Sequence, residues 1–362
     1  MIRVLVAEDS PTARALLVSM LSSDAGITVI GEARNGTEAV ALADTLRPDL
    51  ITMDVQMPEI DGLEATVRIM TRAPVPIIVV SSLASGSEVE LSLEATRAGA
   101  LMVLPKPEGP RSPHFEEQRA QLVSAVKAMA QVKVVRRWGS SNLALRPKSL
   151  ASATLGRVSG ERPRLTPPNM RAVGSERPRV VAIGASTGGP AALRDLFAAL
   201  PADFRVPVLV VQHISKGFVG GLALWLGGST KLRVRVAAAG DVAAKGTIYV
   251  APDDHHLGIR DDYRIVVSSD PPVGSFRPSA SHLFSSAANA FGSATVAVIL
   301  TGMGDDGLQG LREVHAAGGL VIAQDEASSV IYGMPREAVR AGIAHVVLPL
   351  GDMAGRLAEV VA

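Results

Sequence analysis

The chain contains no cysteine, which removes disulfide cross-links, thiolate nucleophiles and zinc–thiolate centres from consideration. Aromatic residues make up only 3% of its 362 residues, so it lacks the ring platforms on which single-stranded nucleic acids stack. Neither sign of charge dominates, since 36 Lys and Arg meet 35 Asp and Glu for a formal net charge of +1. That excludes a global electrostatic pull toward nucleic acid or an anionic membrane. No apolar run is long enough to span a bilayer, and residues 2–7 enter a strand pattern without a signal-peptide layout. These absences read as a soluble, cytoplasmic protein with no membrane insertion and no nucleic-acid partner.

What remains is an Ala-, Val-, Leu- and Gly-rich chain, 47% hydrophobic and 20% charged. It is long enough for two domains that each bury a core. Over residues 1–130 strand and helix patterns alternate five times, with strands expected at residues 3–7, 28–33, 49–54, 77–82 and 101–104. The third, Asp49-Leu-Ile-Thr-Met-Asp54, is almost continuously apolar, as a parallel strand covered on both faces should be. This predicts a doubly wound parallel sheet whose ligand site lies at the carboxyl ends of the strands.

Four polar groups fall at such ends: Glu8 with Asp9, Asp54, Ser81 and Lys106. Singly, each has an ordinary explanation, such as Asp9 capping a helix or Lys106 standing in water. Together the topology gathers them into one crevice. Carboxylates collected there without surplus positive charge suit Mg²⁺, which takes one or two carboxylates with waters and phosphate oxygens. A carboxylate beside a cation, a hydroxyl and an ammonium is equipped to accept a phosphoryl group. Residues 1–130 resemble a response-regulator receiver domain of flavodoxin-like fold, through Ala7-Glu-Asp-Ser-Pro, Met53-Asp-Val-Gln-Met-Pro-Glu-Ile-Asp-Gly62, Val80-Ser-Ser and Lys106-Pro107. The resemblance implies Asp54 as phosphoacceptor, Mg²⁺ among Glu8, Asp9 and Asp54, and phosphoryl contacts from Ser81 and Lys106. Glu8 is a methylene longer than the usual Asp, Val103 replaces a common aromatic switch residue, and Pro105 stiffens the loop before Lys106.

Between residues 131 and 178 periodicity fades, and eleven Lys and Arg from Lys133 to Arg179 stand against Glu161 and Glu176. This composition predicts a basic, solvated, flexible linker. From residue 179 strand–helix alternation returns, predicting a second α/β domain over 179–362 with a mostly parallel sheet. Its first strand, Val180-Val-Ala-Ile, breaks into Gly184-Ala-Ser-Thr-Gly-Gly-Pro190. That turn fits either a nucleophile elbow, Gly-x-Ser-x-Gly, or a phosphate cradle at a helix start.

Two more apolar strands end in polar residues, His213 and the pair Asp305-Asp306. If the strands are parallel neighbours, serine, imidazole and carboxylate converge into the parts needed for nucleophilic acyl transfer. Amides around Ser186 and at residues 302–304 are candidate oxyanion donors. His255-His256 offers a rival imidazole pair in an expected surface hairpin, without the third ligand that zinc needs.

Residues 179–362 resemble the catalytic domain of chemotaxis protein-glutamate methylesterases. The matching stretches are Ile183-Gly-Ala-Ser-Thr-Gly-Gly-Pro190, Val211-Gln-His213, Arg277-Pro-Ser279, Leu300-Thr-Gly-Met-Gly-Asp-Asp-Gly307, Ala323-Gln and Tyr332-Gly-Met-Pro-Arg336. The resemblance implies Ser186 as nucleophile, His213 as base and Asp306 as its orienter, with Thr187 and Met303 lining the site. It implies hydrolysis of glutamate γ-methyl esters, and deamidation of glutamines as a second activity. The expected partners are methylated chemoreceptors as substrate and a CheA-type histidine kinase as phosphodonor. Ser281-His282 departs from the family's usual acidic residue.

Overall fold

The structure, a computed structural model, describes residues 1–82, 86–132, 134 and 177–362. The amino-terminal unit runs β1 (Ile2–Ala7), α1 (Pro11–Ser22), β2 (Ile27–Ala33), α2 (Gly36–Leu46), β3 (Leu50–Met53), α3 (Gly62–Arg72), β4 (Ile77–Ser81), α4 (Gly86–Ala98), β5 (Met102–Pro105) and α5 (Phe115–Met129). The carboxy-terminal unit begins with β6 (Val180–Ala185), α6 (Gly189–Ala198), β7 (Val208–Gln212), α7 (Val219–Gly227), β8 (Arg233–Val236) and β9 (Thr247–Val250). It continues with β10 (His256–Ile259), β11 (Ile265–Ser268), α8 (Ala280–Phe291), β12 (Thr295–Ile299), α9 (Leu308–Ala316), β13 (Leu320–Gln324), α10 (Met334–Arg340), β14 (Val346–Leu348) and α11 (Leu350–Val361).

Local chemistry sets many helix starts. Ser10 caps α1 by accepting from Ala13 N, Asn35 caps α2, and Asp61 caps α3; each short polar side chain satisfies an amide that the first turn leaves unbonded. The strands β1, β3 and β4 are buried along most or all of their length. Only a sheet covered by helices on both faces removes so many consecutive apolar side chains from water.

The first sheet has the order β2-β1-β3-β4-β5, all parallel. The second has the order β14-β13-β12-β6-β7-β9-β8, and every neighbouring pair is again parallel. In each, the chain leaves a central strand in one direction and returns on its other side. The switch points are β1/β3 and β6/β12, where connections diverge and leave a crevice at the carboxyl edge. The expected doubly wound pair of sheets is what forms. The basic segment expected over 131–178 lies, apart from a few residues, outside the described residues.

Two sequence readings are corrected here. The hairpin expected at His255-His256 forms, β10 pairing antiparallel with β11, but it packs against α8 and His256 is fully buried and not on the surface. The short run His-Leu-Gly-Ile has no alternation that would reveal burial on both faces. Pro105 occupies the last position of β5, the edge strand, in register with Ser81. An edge position leaves one side of the backbone without a ladder, so the missing N–H costs nothing there.

The two units share apolar contacts. Val89 and Leu93 of α4 belong to one continuous buried cluster with Phe218 and Leu222 beside α7. Within the second unit α8 and α9 cross closely at Gly310, where a Cβ would collide with Ser281 O and Phe284 Cβ. Gly310→Ala is therefore expected to cost about 1–3 kcal/mol through overpacking. Urea unfolding checks this; an unchanged midpoint would show that the crossing has room to spare.

Candidate functional site

The register of β6 against β7 pairs Ala185 with Gln212. Ser186 and His213, one residue beyond each, therefore leave neighbouring strands at the same level. Ser186 N donates to Thr301 O at 3.0 Å, which ties the turn to the end of β12. Gly188, at φ 76, caps α6 in the left-handed region that glycine tolerates. Gln212 Nε2 donates to Ser186 O at 2.8 Å and to His213 O at 2.8 Å, joining the two loops. Gly302 lies directly against the turn: a Cβ there would stand 2.7 Å from Ser186 Cβ.

These contacts bear on the two readings of the 184–190 turn. A phosphate cradle presents its amides to a ligand, whereas Ser186 N bonds Thr301 O and Gly189 N bonds Ser186 O. Two of the turn's amides are therefore spent within the protein, which fits an elbow better than a cradle. The amide of Gly302, expected among the oxyanion donors, is likewise used, donating to Ile331 O at 3.0 Å.

His213 Nε2 lies 2.9 Å from Asp306 Oδ2. Its other nitrogen, Nδ1, is buried and has no hydrogen-bond partner among the described residues. With Asp306 ionised, Nε2 carries the proton and Nδ1 keeps a lone pair, the state a general base needs. The ring stacks on Phe276 with centroids 4.2 Å apart and planes 8° from parallel. Ser186, Thr187 and His213 line one cavity of about 390 Å³. Met303, 47% exposed, is not among the residues that line it.

Asp306 is buried while Asp305 is exposed, which separates two neighbours that sequence alone leaves similar. Its Oδ1 accepts from Ser279 Oγ at 2.8 Å, Gly307 N at 2.8 Å and Ser281 N at 3.2 Å. Its Oδ2 accepts from Ala280 N at 2.7 Å beside the bond from His213. The carboxylate thus sits at the amino end of α8, where free amides and the helix dipole favour negative charge. Burial alone would push the carboxyl up; the bonds from His213, Ser279 and Ala280 prevail and hold it at about 2. Ser281 takes part in this cradle, its Oγ accepting from Gly307 N at 2.8 Å. His282 stacks on His256 at 4.5 Å, and His256 accepts from Ser279 N through Nδ1. The Ser281-His282 departure is thus part of the support beneath Asp306.

In the first unit Glu8, Asp9 and Asp54 present ligand atoms within 4.8 Å of one another. Glu8 and Asp54 are buried, and Asp9 is exposed. Lys106 Nζ lies 2.8 Å from Asp54 Oδ2 and 3.0 Å from Glu8 Oε1. Desolvation, followed for Glu8 by repulsion from Asp54, raises both carboxyls above their ordinary values in spite of Lys106. For Lys106 burial opposes the charge, but the bonds to Asp54 and Glu8 outweigh it and raise the ammonium. Buried acids held at such a cost match an incoming divalent cation. Ser81, fully buried, ends β4 beside them, and Lys106 N donates to Ser81 O at 2.8 Å.

The two sites meet through the units' interface. Thr96, Leu101, Met102, Val103 and Gln121 close the far side of the cavity that Ser186 and His213 line. Ser215 Oγ donates to Val103 O at 3.1 Å. Glu94 on α4 pairs with Arg194 and accepts from Trp225 Nε1 at 2.9 Å, while the Arg194 guanidinium lies 4.6 Å from the Trp225 ring centre.

Every sequence-selected residue except Met303 therefore lies in one of the two clusters. Gln212 and Ser279 were not singled out, although both stand inside quoted motifs. Phe276 had no signal, because an aromatic residue three positions before a helix cap is unremarkable in one sequence.

The CheB methylesterase family model matches residues 181–357, and the response regulator receiver domain model matches residues 4–113. A Myxococcus xanthus (strain DK1622) protein-glutamate methylesterase/protein-glutamine glutaminase 4 is 54% identical across 98% of this chain and 96% of its own. An Anaeromyxobacter dehalogenans (strain 2CP-C) protein-glutamate methylesterase/protein-glutamine glutaminase 3 is 48% identical across 99% and 98%. The crystal structure of the Thermotoga maritima CheB methylesterase catalytic domain is 37% identical and covers 51% of this chain and 99% of that one, with a TM-score of 0.49.

The Asp306 carboxyl lies below its ordinary value in the folded chain, so the folded state binds fewer protons than the unfolded one as acid is added. The stability it confers is present above about pH 4 and is lost as pH falls toward about 2. Ser279→Ala removes a donor to that carboxylate and the cap of α8, an expected cost of about 1–3 kcal/mol at neutral pH. Urea titrations across the acid range should show the gap from the unmodified chain narrowing with falling pH. A gap that stayed constant would place Ser279's contribution in the cap alone.

Proposed function

The chain belongs to the family of CheB methylesterases that carry a response regulator receiver domain, and on that footing we propose that it is a phosphorylation-activated protein-glutamate methylesterase of a chemotaxis-type two-component pathway. The units are drawn at residues 1–130 for the receiver, 131–178 for the linker and 179–362 for the hydrolase. One observation carries the hydrolytic reading: His213 donates through Nε2 to Asp306 while its buried Nδ1 faces no partner among the described residues, in the cavity that Ser186 lines.

The chemistry follows from those positions. Ser186 Oγ attacks the γ-carbonyl carbon of a methylated glutamate as His213 Nδ1 takes the hydroxyl proton. Asp306, fixed as an anion by the start of α8, steadies the imidazolium. Collapse of the tetrahedral intermediate returns that proton to the leaving methoxide, and methanol departs. Water then adds to the acyl-enzyme with His213 again as base, releasing glutamate and restoring Ser186. With a glutamine amide the same steps release ammonia, which accounts for the second activity in the relatives' names. The substrate is the methylated helix of a chemoreceptor.

In the receiver Asp54 accepts the phosphoryl group from a CheA-type histidine kinase, with Ser81 and Lys106 contacting its oxygens. Glu8, Asp9 and Asp54 would hold Mg²⁺, which neutralises charge on the transferring group. The raised carboxyls of Glu8 and Asp54 support that fit. Regulation follows from the shared cavity. In this arrangement the α4–β5 face stands over Ser186 and His213, so a receptor helix has no approach. Phosphorylation activates to the extent that it stabilises a separated arrangement more than this one. Among the described residues no helix is long and apolar enough to cross a membrane, and the protein is read as acting from the cytoplasm.

Ser186→Ala should abolish methanol release from methylated receptor membranes while Asp54 remains phosphorylatable; retained turnover would refute the nucleophile. Arg194→Ala removes the partner of Glu94 and the cation over Trp225, loosening the resting arrangement. Turnover without phosphodonor should rise severalfold, on the order of the tenfold that about 1.4 kcal/mol corresponds to. An unchanged resting rate would mean that this contact does not hold the gate. Millimolar Mg²⁺ should raise the melting temperature of the unmodified chain more than that of Asp54→Asn. Equal shifts would place the cation elsewhere.

A further inference from the structure

The segment that supports Asp306 also supports the base, and it does so through a residue outside the triad. Phe276 lies flat on the His213 ring, 4.2 Å between centroids and 8° between planes. Its own position is fixed on both sides. Val273 and Phe276 exchange backbone bonds of 3.1 Å around a turn in which Gly274 has φ 61. The next residue, Arg277, pairs with Asp254 at 2.7 Å and donates to Ser269 O and Asp270 O. Three residues on, Ser279 begins the Asp306 cradle. Phe276 is thus held between a pinned turn and a pinned arginine, and it forms part of the wall of the cavity that Ser186 lines.

We propose that Phe276 is a positioning residue for catalysis, keeping the His213 ring in the plane that joins Asp306 to the Ser186 cavity and stabilising that ring when it takes up the serine proton. The inference rests on the triad read above. His213 has one hydrogen-bonded nitrogen, and a ring held at a single point can swing about that bond; a flat contact on its face removes this freedom. The contact also discriminates between protonation states. A neutral imidazole on a phenyl face gains dispersion, whereas an imidazolium gains an added cation–π attraction. That attraction exists only while the proton is on the ring, in the transition states of both half-reactions, and so acts on the barrier rather than on substrate binding.

The surroundings leave this contribution visible. The carboxylate in contact with His213 is Asp306. Arg277, in the same cavity wall, is turned into its pair with Asp254, and Lys216 on the loop after β7 also faces Asp254. The receiver residues across the cavity, among them Thr96, Met102, Val103 and Gln121, carry no charge.

The test uses the full chain, activated by a small phosphodonor, with methanol release from methylated receptor membranes followed across about pH 5–9. Phe276→Leu keeps apolar bulk but offers no ring face. It should lower kcat on the order of tenfold with little change in KM, and move the acid limb of the pH–rate profile to lower pH. Phe276→Trp offers a stronger face and should move that limb to higher pH while retaining kcat. Limbs that coincide in all three proteins, or an unchanged kcat in Phe276→Leu, overturn the proposal. If the leucine variant does not fold, the direction of the tryptophan shift decides alone. Ser186→Ala measured in parallel separates the two levels: turnover there removes the triad itself, whereas a silent Ser186→Ala beside an unaltered Phe276 series removes only the role of Phe276.

Discussion

Parallel strand pairing is the constraint on which both sites depend. When all neighbours in a sheet run the same way, every strand delivers its last residue to the same edge. At the switch point the sheet's own connections diverge and leave that edge uncovered by its flanking helices. In the first sheet this places Glu8 and Asp54 side by side after β1 and β3. In the second it places Ser186, His213 and the loop to Asp306 after β6, β7 and β12. One antiparallel strand at the centre of either sheet would send one of these groups to the opposite edge. The buried apolar residues of those strands therefore also serve as the frame that aligns polar groups no two of which are adjacent in sequence.

The two edges are electrostatically opposite in design. Around Asp306 the surrounding donors outnumber the oxygens and favour the charge, so its pKa is lowered to about 2. Around Asp54 and Glu8 the single ammonium of Lys106 does not offset burial, and both carboxyls are raised. An anion that must hold one orientation through a catalytic cycle profits from the first environment. A cluster that must respond when a cation and a phosphoryl group arrive profits from the second, because incomplete neutralisation leaves free energy to be released on binding.

Much of this was legible before any coordinates. Strand ends are visible as apolar runs that stop at a polar residue, and the β6 turn announced its strand–turn–helix course through glycines and Pro190. Asp54, Lys106, Ser186, His213 and Asp306 all lay at such points. What escaped was whatever depends on chain-distant packing. His256 read as a surface residue because its four-residue strand carries no period, yet it is fully buried beneath Ser279. Pro105 had no rationale until β5 proved to be an edge. The choice of Asp306 over Asp305 needed the motif, whereas burial decides it at once. Met303 was placed at the site through its motif neighbours; it is 47% exposed and is not among the residues that line the cavity.

The stretch from Phe276 to Ser281 spans six consecutive residues, at one end against the imidazole and at the other under the carboxylate. His213 and Asp306 are thus coupled by chain length as well as by their hydrogen bond. An inserted or deleted residue inside this stretch would move both supports out of step, and no side-chain change elsewhere could restore the pair. The exposed residues 269–275 just before it are tied to the same arrangement, since Ser269 O and Asp270 O accept from Arg277 and Val273 pairs with Phe276. The stretch from Ser269 to Ser281 thus acts as a strap of fixed length along that side of the cleft, a constraint set by the backbone and not by any one side chain.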